Sequence, residues 1–386
     1  MSWPVDHAKL DRVRGLLDEH ELDAIVVRAP DNVLYLTNFW GMKGWDACVL
    51  ARDAEPVLIT IEASADDAAR AAWTTDVRYL RGYDERDPRP PLARTLDLAV
   101  DAAKPYTRVG LELSLGTQAS DRMVGEPTTF TKAWFDAFPG AADATPLLAQ
   151  ARAVKTPQEI ERMRIANAIA AGATEYVRGR LDVGMRESEV AALWQGFVHG
   201  QGTARDDVDL ALPFSLIWSG RGIKTFTATG DRPVTEDEPV LFEIWVCADG
   251  YWADHTKNLV VGELRDDYRE LERGLVEVYE RAVAHCTPGA GLPELDVLVR
   301  EGIAALGYPG QPSHPICHGI GARAHEPPYP HQAGGGTVTE GMVLAIEPGC
   351  YWEGGGGLRV EDNFLITANG PEKLSPFPDG VVACRS

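Results

Sequence analysis

The sequence predicts a two-domain protein, an α/β domain over residues 1–150 followed by an α+β domain over residues 151–386. Three features predict it. The chain has 386 residues, enough for two cores of ordinary size. Its first part alternates short apolar runs with helical stripes, whereas its second part groups long helices around longer strand-like runs. Between them, PGAADATPLLAQARAVKTPQE at 139–159 carries Pro, Gly and Ala with little periodicity, then a clean helix start.

In the first domain, Leu10, Val13, Leu16 and Leu17 form a helical stripe within 5–20, and LDAIVV at 22–27 reads as a strand. Pro30-Asp31-Asn32 is a turn signal. VLYLTNF and ACVLARDAEPVLIT then read as further strands, with helices over 62–73 and 92–103. The second domain opens on Thr156-Pro157-Gln158-Glu159, a capping threonine, proline at the first helical position and glutamate at the third. Ile160, Met163, Ala166 and Ile169 mark the buried side of that helix, and more helices follow at 186–199, 266–287 and 293–306. VLFEIWVC at 240–247 runs into YWADHTKNLVVG at 251–262 through Ala248-Asp249-Gly250, a hairpin signal. MVLAIEPG and LRVEDNFLIT flank the glycine-rich stretch 353–357.

The formal charge of −21 argues against nucleic acid and anionic membrane as partners, which require a basic surface. MSWPVDHAKLDRVRG has no apolar run behind a basic start, and no stretch approaches the ~20 apolar residues that span a bilayer. Six scattered cysteines without a CxxC pair suit a reducing, cytoplasmic setting. Cys317 adjoins His318, but reads as a small buried residue rather than a nucleophile.

Five residues of the second domain stand in or beside apolar, strand-like segments: Glu243, Asp254, His318, Glu347 and Glu361. A carboxylate buried in a strand is costly unless a cation or hydrogen bonds compensate it. Taken singly, each acid is more simply a solvated or salt-bridged residue. Together, four carboxylates and an imidazole suggest a site for one or two divalent ions. Oxygen-rich ligation favours manganese, iron, cobalt or zinc over copper, and manganese is the first expectation. Two ions a few Å apart would activate a water between them. Arg359 shares a strand face with Glu361, placed to orient that carboxylate or to bind an anionic substrate end. In CHGIGARAHEPP, the glycines around His318 let strand and ligand approach, and His325 reads as a donor to a substrate carbonyl or intermediate. His314 lines the same cleft or is structural.

The ordered series DGYWADHTK, HGIGARAHEPP, GMVLAIEPGCYW and GGLRVEDNFLIT resembles the pita-bread metallopeptidases: aminopeptidase P, prolidase, methionine aminopeptidase and creatinase. KTPQEIERMRIANAIA resembles the opening helix of their catalytic domain, and LDAIVVRAPDNVLYLTNFWG their creatinase-type N-terminal domain. The resemblance covers nearly the whole chain. It implies a creatinase-type domain over 1–150, a pita-bread catalytic domain over 151–386, and a metal site on Glu243, Asp254, His318, Glu347 and Glu361. It implies Glu347 as general base, His325 as stabiliser of the tetrahedral intermediate, and His314 and Arg359 on the substrate side. It also implies a homodimer, with Trp40 and Trp45 as candidates to border the neighbour's cleft or, equally, as a core pair.

Two positions depart from the pattern. Glu243 stands where the family carries Asp, and Thr227, after SGRGIK, falls near where peptidase members place a histidine. The first expectation is therefore a metal-dependent hydrolase cutting a C–N bond beside a small or imino-acid group, as a dipeptidase or aminopeptidase of Xaa-Pro type. The departures keep open a small-molecule amidohydrolase resembling creatinase or ectoine hydrolase, or a lyase. A metal-free binding protein is the alternative of another class.

Overall fold

The computed structural model describes residues 3–41, 44–113, 128–308 and 312–385. The chain divides into two compact units, Met1–Arg152 and Ala153–Ser386.

The first unit is built on a six-stranded mixed sheet in the order Val77–Leu80, Val57–Ile61, Ala47–Ala51, Ala24–Val27, Val109–Leu111 and Ala142–Asp143. Strand alternation gives it two cores. Ile25 and Val27 join Leu10, Val13 and Leu17 of the helix His7–Glu19 on one face, while Ala24 and Val26 pack with Ala99 and Ala102 of Pro91–Ala103 on the other. Two expectations are corrected. VLYLTNF is not a strand: its first residues lie in the helix Pro30–Thr37, with Pro30 at the first helical position instead of in a turn. Asn32 through Thr37 are all buried, so the segment lacks the polar face that would have betrayed a helix. The Glu112 carboxylate, remote in sequence, completes its start, accepting from the backbone N–H of Arg28 and Ala29 and from Asn32 Nδ2. Likewise, the stretch with little periodicity holds a helix, Thr145–Ala153, whose Leu147, Leu148 and Ala151 are buried.

In the second unit, Thr156 and Glu159 form the expected reciprocal cap of a 22-residue helix, Pro157–Arg178. Glu159 also accepts from the Tyr251 hydroxyl (3.1 Å), which pins the helix to the adjoining sheet. That sheet runs Val381–Ala383, Tyr251–Val260, Pro239–Ala248, Ala211–Ser219. Its central hairpin turns at Asp249 and Gly250, both with positive φ (46° and 85°). A second four-stranded sheet runs Cys317–Gly319, Val343–Ile346, Asp362–Thr367, Gly370–Lys373. The helices Asp266–His285 and Leu292–Ala305 bury Leu271, Leu275, Leu295 and Val299 in a core shared with Leu344 and Ile346. Asn363 stitches the sheets together: its side chain accepts from the Asp254 N–H (3.0 Å) and donates to the Asp254 carbonyl (2.8 Å). Among the described residues, no helix is long and apolar enough to cross a membrane.

Candidate metal centre

Strand register sets the first part of the site. Glu243 lies opposite Thr256, and Trp245 opposite Asp254, so these four side chains share one sheet face. Asp254 and Thr256 are two apart on one strand, whereas Lys257, between Thr256 and Asn258, serves the opposite face. Glu361 is not inside a continuous strand: it sits between Gly356–Arg359 and Asp362–Thr367, bridged to Thr256. Thr256 Oγ1 donates to Glu361 Oε2 (2.7 Å) and accepts from Arg359 Nε. Behind this contact, buried Lys257 ion-pairs with Asp362 and donates to the Glu361 carbonyl (3.2 Å). The dipeptide Glu361-Asp362 is therefore held from both faces.

The glycines of CHGIGARAHEPP have a steric explanation. A Cβ on Gly319 would stand 2.4 Å from the Pro327 carbonyl oxygen. Without it, the chain folds back so that Glu326 N–H reaches the Gly319 carbonyl (2.9 Å) and Gly319 N–H the Pro328 carbonyl (2.8 Å). A buried Lys155–Glu326 ion pair (3.0 Å) fastens the loop. The fold-back stacks the His325 ring on that of His318, with centroids 4.1 Å apart. The glycines at 354 and 356 adopt positive φ, and a Cβ on Gly356 would stand 2.3 Å from the Gly220 carbonyl oxygen. The glycine-rich stretch thus brings two backbones together.

The five sequence-predicted ligand residues meet in one cluster. Three overlapping groups, Asp254–His318–His325, His318–Glu347–Glu361 and Glu243–Asp254–Glu361, each place their donor atoms within 4.8 Å of one another. His318 Nε2 lies 3.6 Å from Asp254 Oδ2 and 3.5 Å from Glu347 Oε1. Those separations are too long for good hydrogen bonds, but near the edge of a tetrahedron around an ion about 2.1 Å from each donor. His318 Nε2 and Glu347 Oε1 are buried and make no hydrogen bond among the described residues. His318 Nδ1 faces the Gly319 carbonyl (2.9 Å), which places its proton there and leaves the Nε2 lone pair inward. Burial pulls the His318 imidazole down to about 4, opposed by that carbonyl, so it is neutral, as a ligand must be. The donor set fits a divalent ion.

The neighbouring charges are arranged around this set. Burial, reinforced by Glu361, pushes the Glu347 carboxyl well above the usual carboxylate range. Burial pulls the Arg359 guanidinium down to about 10, opposed by Glu361, which leaves it charged at neutral pH. Arg359 touches Glu243 and lies 3.7 Å from Glu361 and 4.0 Å from Glu347. His314 Nδ1 lies 3.1 Å from Glu347 Oε2, and its Nε2 lies 3.1 Å from the Tyr351 hydroxyl. His325 Nε2 lies 3.6 Å from Asp254 Oδ2, and burial drives its imidazole well below the ordinary value. Thr227 is not joined to the cluster by any hydrogen bond among the described residues: its Oγ1 is buried and unbonded. Its loop is tied beside His314 through Thr225 and Ser313 (3.1 Å). The Cys317 thiol is fully buried and pushed well above its ordinary value, so it is no nucleophile.

Three site residues were missed by sequence reasoning. Thr256 had a signal, since it follows Asp254 at the strand period of two. Tyr351, which also lies 3.4 Å from Arg359, is placed by the hairpin Gly349–Trp352 and Gly356–Arg359, and nothing in its spacing marks it. Trp245 shares the Glu243 face but reads as core.

Comparison with known proteins agrees with this architecture. The sequence profile of the Creatinase/Prolidase N-terminal domain matches residues 9–164, and that of Metallopeptidase family M24 matches residues 161–368. The Xaa-Pro dipeptidase of Pyrococcus furiosus is 26% identical over 368 residues, covering 95% of this chain and 97% of its own. An uncharacterized peptidase of Bacillus subtilis is 26% identical over 387 residues, covering 97% and 99%. Among solved structures, an Xaa-Pro dipeptidase from Bacillus anthracis superposes with a TM-score of 0.80 at 23% identity, covering 97% of this chain and 99% of that one. The prolidase of Pyrococcus horikoshii gives 0.79 at 24%, covering 96% and 99%. Those likenesses fix the fold as a creatinase-type domain followed by a pita-bread domain. With a catalytic-domain profile that spans more than half of the sequence and contains all five converging residues, the chain belongs to metallopeptidase family M24.

Proposed function

We propose that this chain is a metal-dependent peptidase of the Xaa-Pro dipeptidase or aminopeptidase type. The observation that carries the reading is the pair of buried donors, His318 Nε2 and Glu347 Oε1, unbonded among the described residues and set inside a cluster of acids. A protein that only binds a partner gains nothing from leaving such atoms unsatisfied. Glu243, Asp254, His318, Glu347 and Glu361 would hold one or two divalent ions, manganese being the first to try. A bound ion supplies Lewis-acid chemistry, polarising the scissile carbonyl and acidifying water.

The chain's own residues do the rest. Glu347 takes a proton from the attacking water as that oxygen adds to the carbonyl carbon. Its raised affinity for protons, from burial and from Glu361, suits it to keep that proton until the C–N bond breaks and the leaving nitrogen accepts it. Neutral His325 donates to the oxygen of the tetrahedral intermediate. Arg359 orients Glu243 and Glu361, and His314 with Tyr351 closes the substrate side. Two copies of the chain are expected to form the working enzyme, in the cytoplasm.

A second reading has its own observations. Glu243 carries one more methylene than the family's Asp and is engaged by Arg359, and Thr227 supplies no imidazole. Both suit a non-peptide amide or amidine on the same fold. Assays of Xaa-Pro dipeptides against creatine-like and ectoine-like compounds, on enzyme with its metal content measured, separate the readings. Hydrolysis of dipeptides supports the first. Turnover of the small molecules alone, or dipeptidase activity that arises only in Thr227→His, rejects it.

A further inference from the structure

A row of rings leads away from the candidate metal centre. His318 stacks on His325 at 4.1 Å and 26°. His325 lies 6.4 Å from the ring of Trp245, and Trp245 lies 5.2 Å from that of Phe214. Register explains the row: Phe214, Trp245 and Asp254 occupy three adjacent strands at one level, so their side chains share the sheet face that carries Glu243. Trp245 is only 7% exposed, yet its Nε1–H is buried with no hydrogen-bond partner among the described residues. Buried tryptophans almost always find an acceptor for that proton, because leaving it unmade forfeits the hydration it had in the unfolded chain. Phe214, at the far end, is half-buried, so the row is not sealed.

We propose that Trp245 is a substrate-binding residue. Its ring and that of Phe214 form a shelf for a bulky apolar side chain of the substrate, and its indole N–H donates to a carbonyl or carboxylate oxygen next to that side chain. The substrate class is then an acyl group with a large apolar residue, in preference to a small polar molecule. The inference deepens the peptidase reading and rests on it for the reaction, but not for the binding.

The experiment uses zinc-loaded enzyme labelled with 15N at its tryptophans. The Trp245 indole resonance is the one missing from Trp245→Phe. Free leucine, which carries the side chain and an acceptor oxygen without being a substrate, is expected to shift that resonance, and glycine at the same concentration to shift it less. In kinetics on Leu-Pro, Trp245→Phe keeps the ring and loses the donor, so KM should rise about three- to tenfold with kcat within twofold and metal content unchanged. Trp245→Ala should erase the preference for Leu-Pro over Gly-Pro. An indole resonance unmoved by saturating leucine, with an unchanged KM in Trp245→Phe, overturns the proposal even if the wild type cleaves dipeptides. A leucine-induced shift in an enzyme that cleaves no Xaa-Pro dipeptide keeps the proposal and rejects the peptidase reading instead.

Discussion

Two buried glutamates, one in each unit, show opposite ways of keeping a carboxylate out of water. Glu112 in the first unit is enclosed by donors: two backbone N–H groups and the Asn32 amide occupy both of its oxygens. Glu347 in the second unit is 4% exposed, yet among the described residues its Oε1 makes no hydrogen bond, and it faces Glu361, a like charge. Burial pushes both carboxyls upward. In Glu112, hydrogen bonds oppose that push and spend the carboxylate on capping a helix. In Glu347, His314 and Arg359 approach Oε2 alone, and Oε1 has no hydrogen bond among the described residues, a cost that an arriving cation or a retained proton would meet. The contrast makes Glu112 architecture and marks Glu347 as the acid to test for chemistry.

The strongest way to break that contrast is to remove a donor from the incomplete set. His318→Ala and Glu361→Ala should each lose bound metal and activity together, with activity falling to background, while the folded state survives. Metal analysis after dialysis, beside a thermal melt, checks this. Full metal retention in either variant would show that the buried donors are not a ligand set. Next in size is His325→Ala, which should keep its metal and lower turnover by roughly a hundred- to ten-thousand-fold, the range of acid–base and oxyanion groups. Loss of metal in that variant would move His325 into the ligand set, where its 3.6 Å approach to Asp254 also allows it to stand.

Glu112→Gln tests the other side. The amide presents a donor where donors already crowd, so at least one hydrogen bond to Ala29, Arg28 or Asn32 is lost. Destabilisation of about 1–3 kcal/mol is expected, with metal content unchanged. A variant that melts like the wild type would show Glu112 to be no structural keystone. The same pair of residues explains what could be read in advance. The Thr156 cap and the Asp249-Gly250 hairpin are local chemistry, and their residue types announce them. The face shared by Asp254, Thr256 and Glu243 follows from strand alternation. Helix Pro30–Thr37 was not legible, because Asn32 through Thr37 are all buried and its N-terminus is completed by Glu112, just past the distant strand Val109–Leu111. The stacking of His325 on His318 was equally hidden: it depends on the room that Gly319 leaves for the Pro327 carbonyl, a contact between segments that no periodicity encodes. Tyr351 and Trp245 enter the site through sheet and hairpin geometry for the same reason.

The smallest effect concerns Asp46, a buried acid of the first unit. It is 4% exposed, and Thr60 donates to its Oδ1 (2.6 Å). Burial raises its carboxyl above the model-peptide value of 3.8, with the Thr60 hydroxyl opposing. The sign follows from linkage. A carboxyl that binds its proton more tightly when folded favours the fold at low pH, and that favour disappears as pH rises from the unfolded value through the folded one. At neutral pH the charged Asp46 is therefore a liability. Asp46→Asn keeps the Oδ1 acceptor for Thr60 and removes the charge, so it should raise the stability of the first unit by roughly 1 kcal/mol or less at pH 7. The gain should shrink as pH falls from 7 through the raised folded-state value, as the wild-type group takes up its own proton. Melting temperatures of both proteins across that range check the slope. A stabilisation that is constant with pH would trace to packing instead, and a loss of stability at pH 7 would mean that the charged Asp46 is compensated as fully as Glu112.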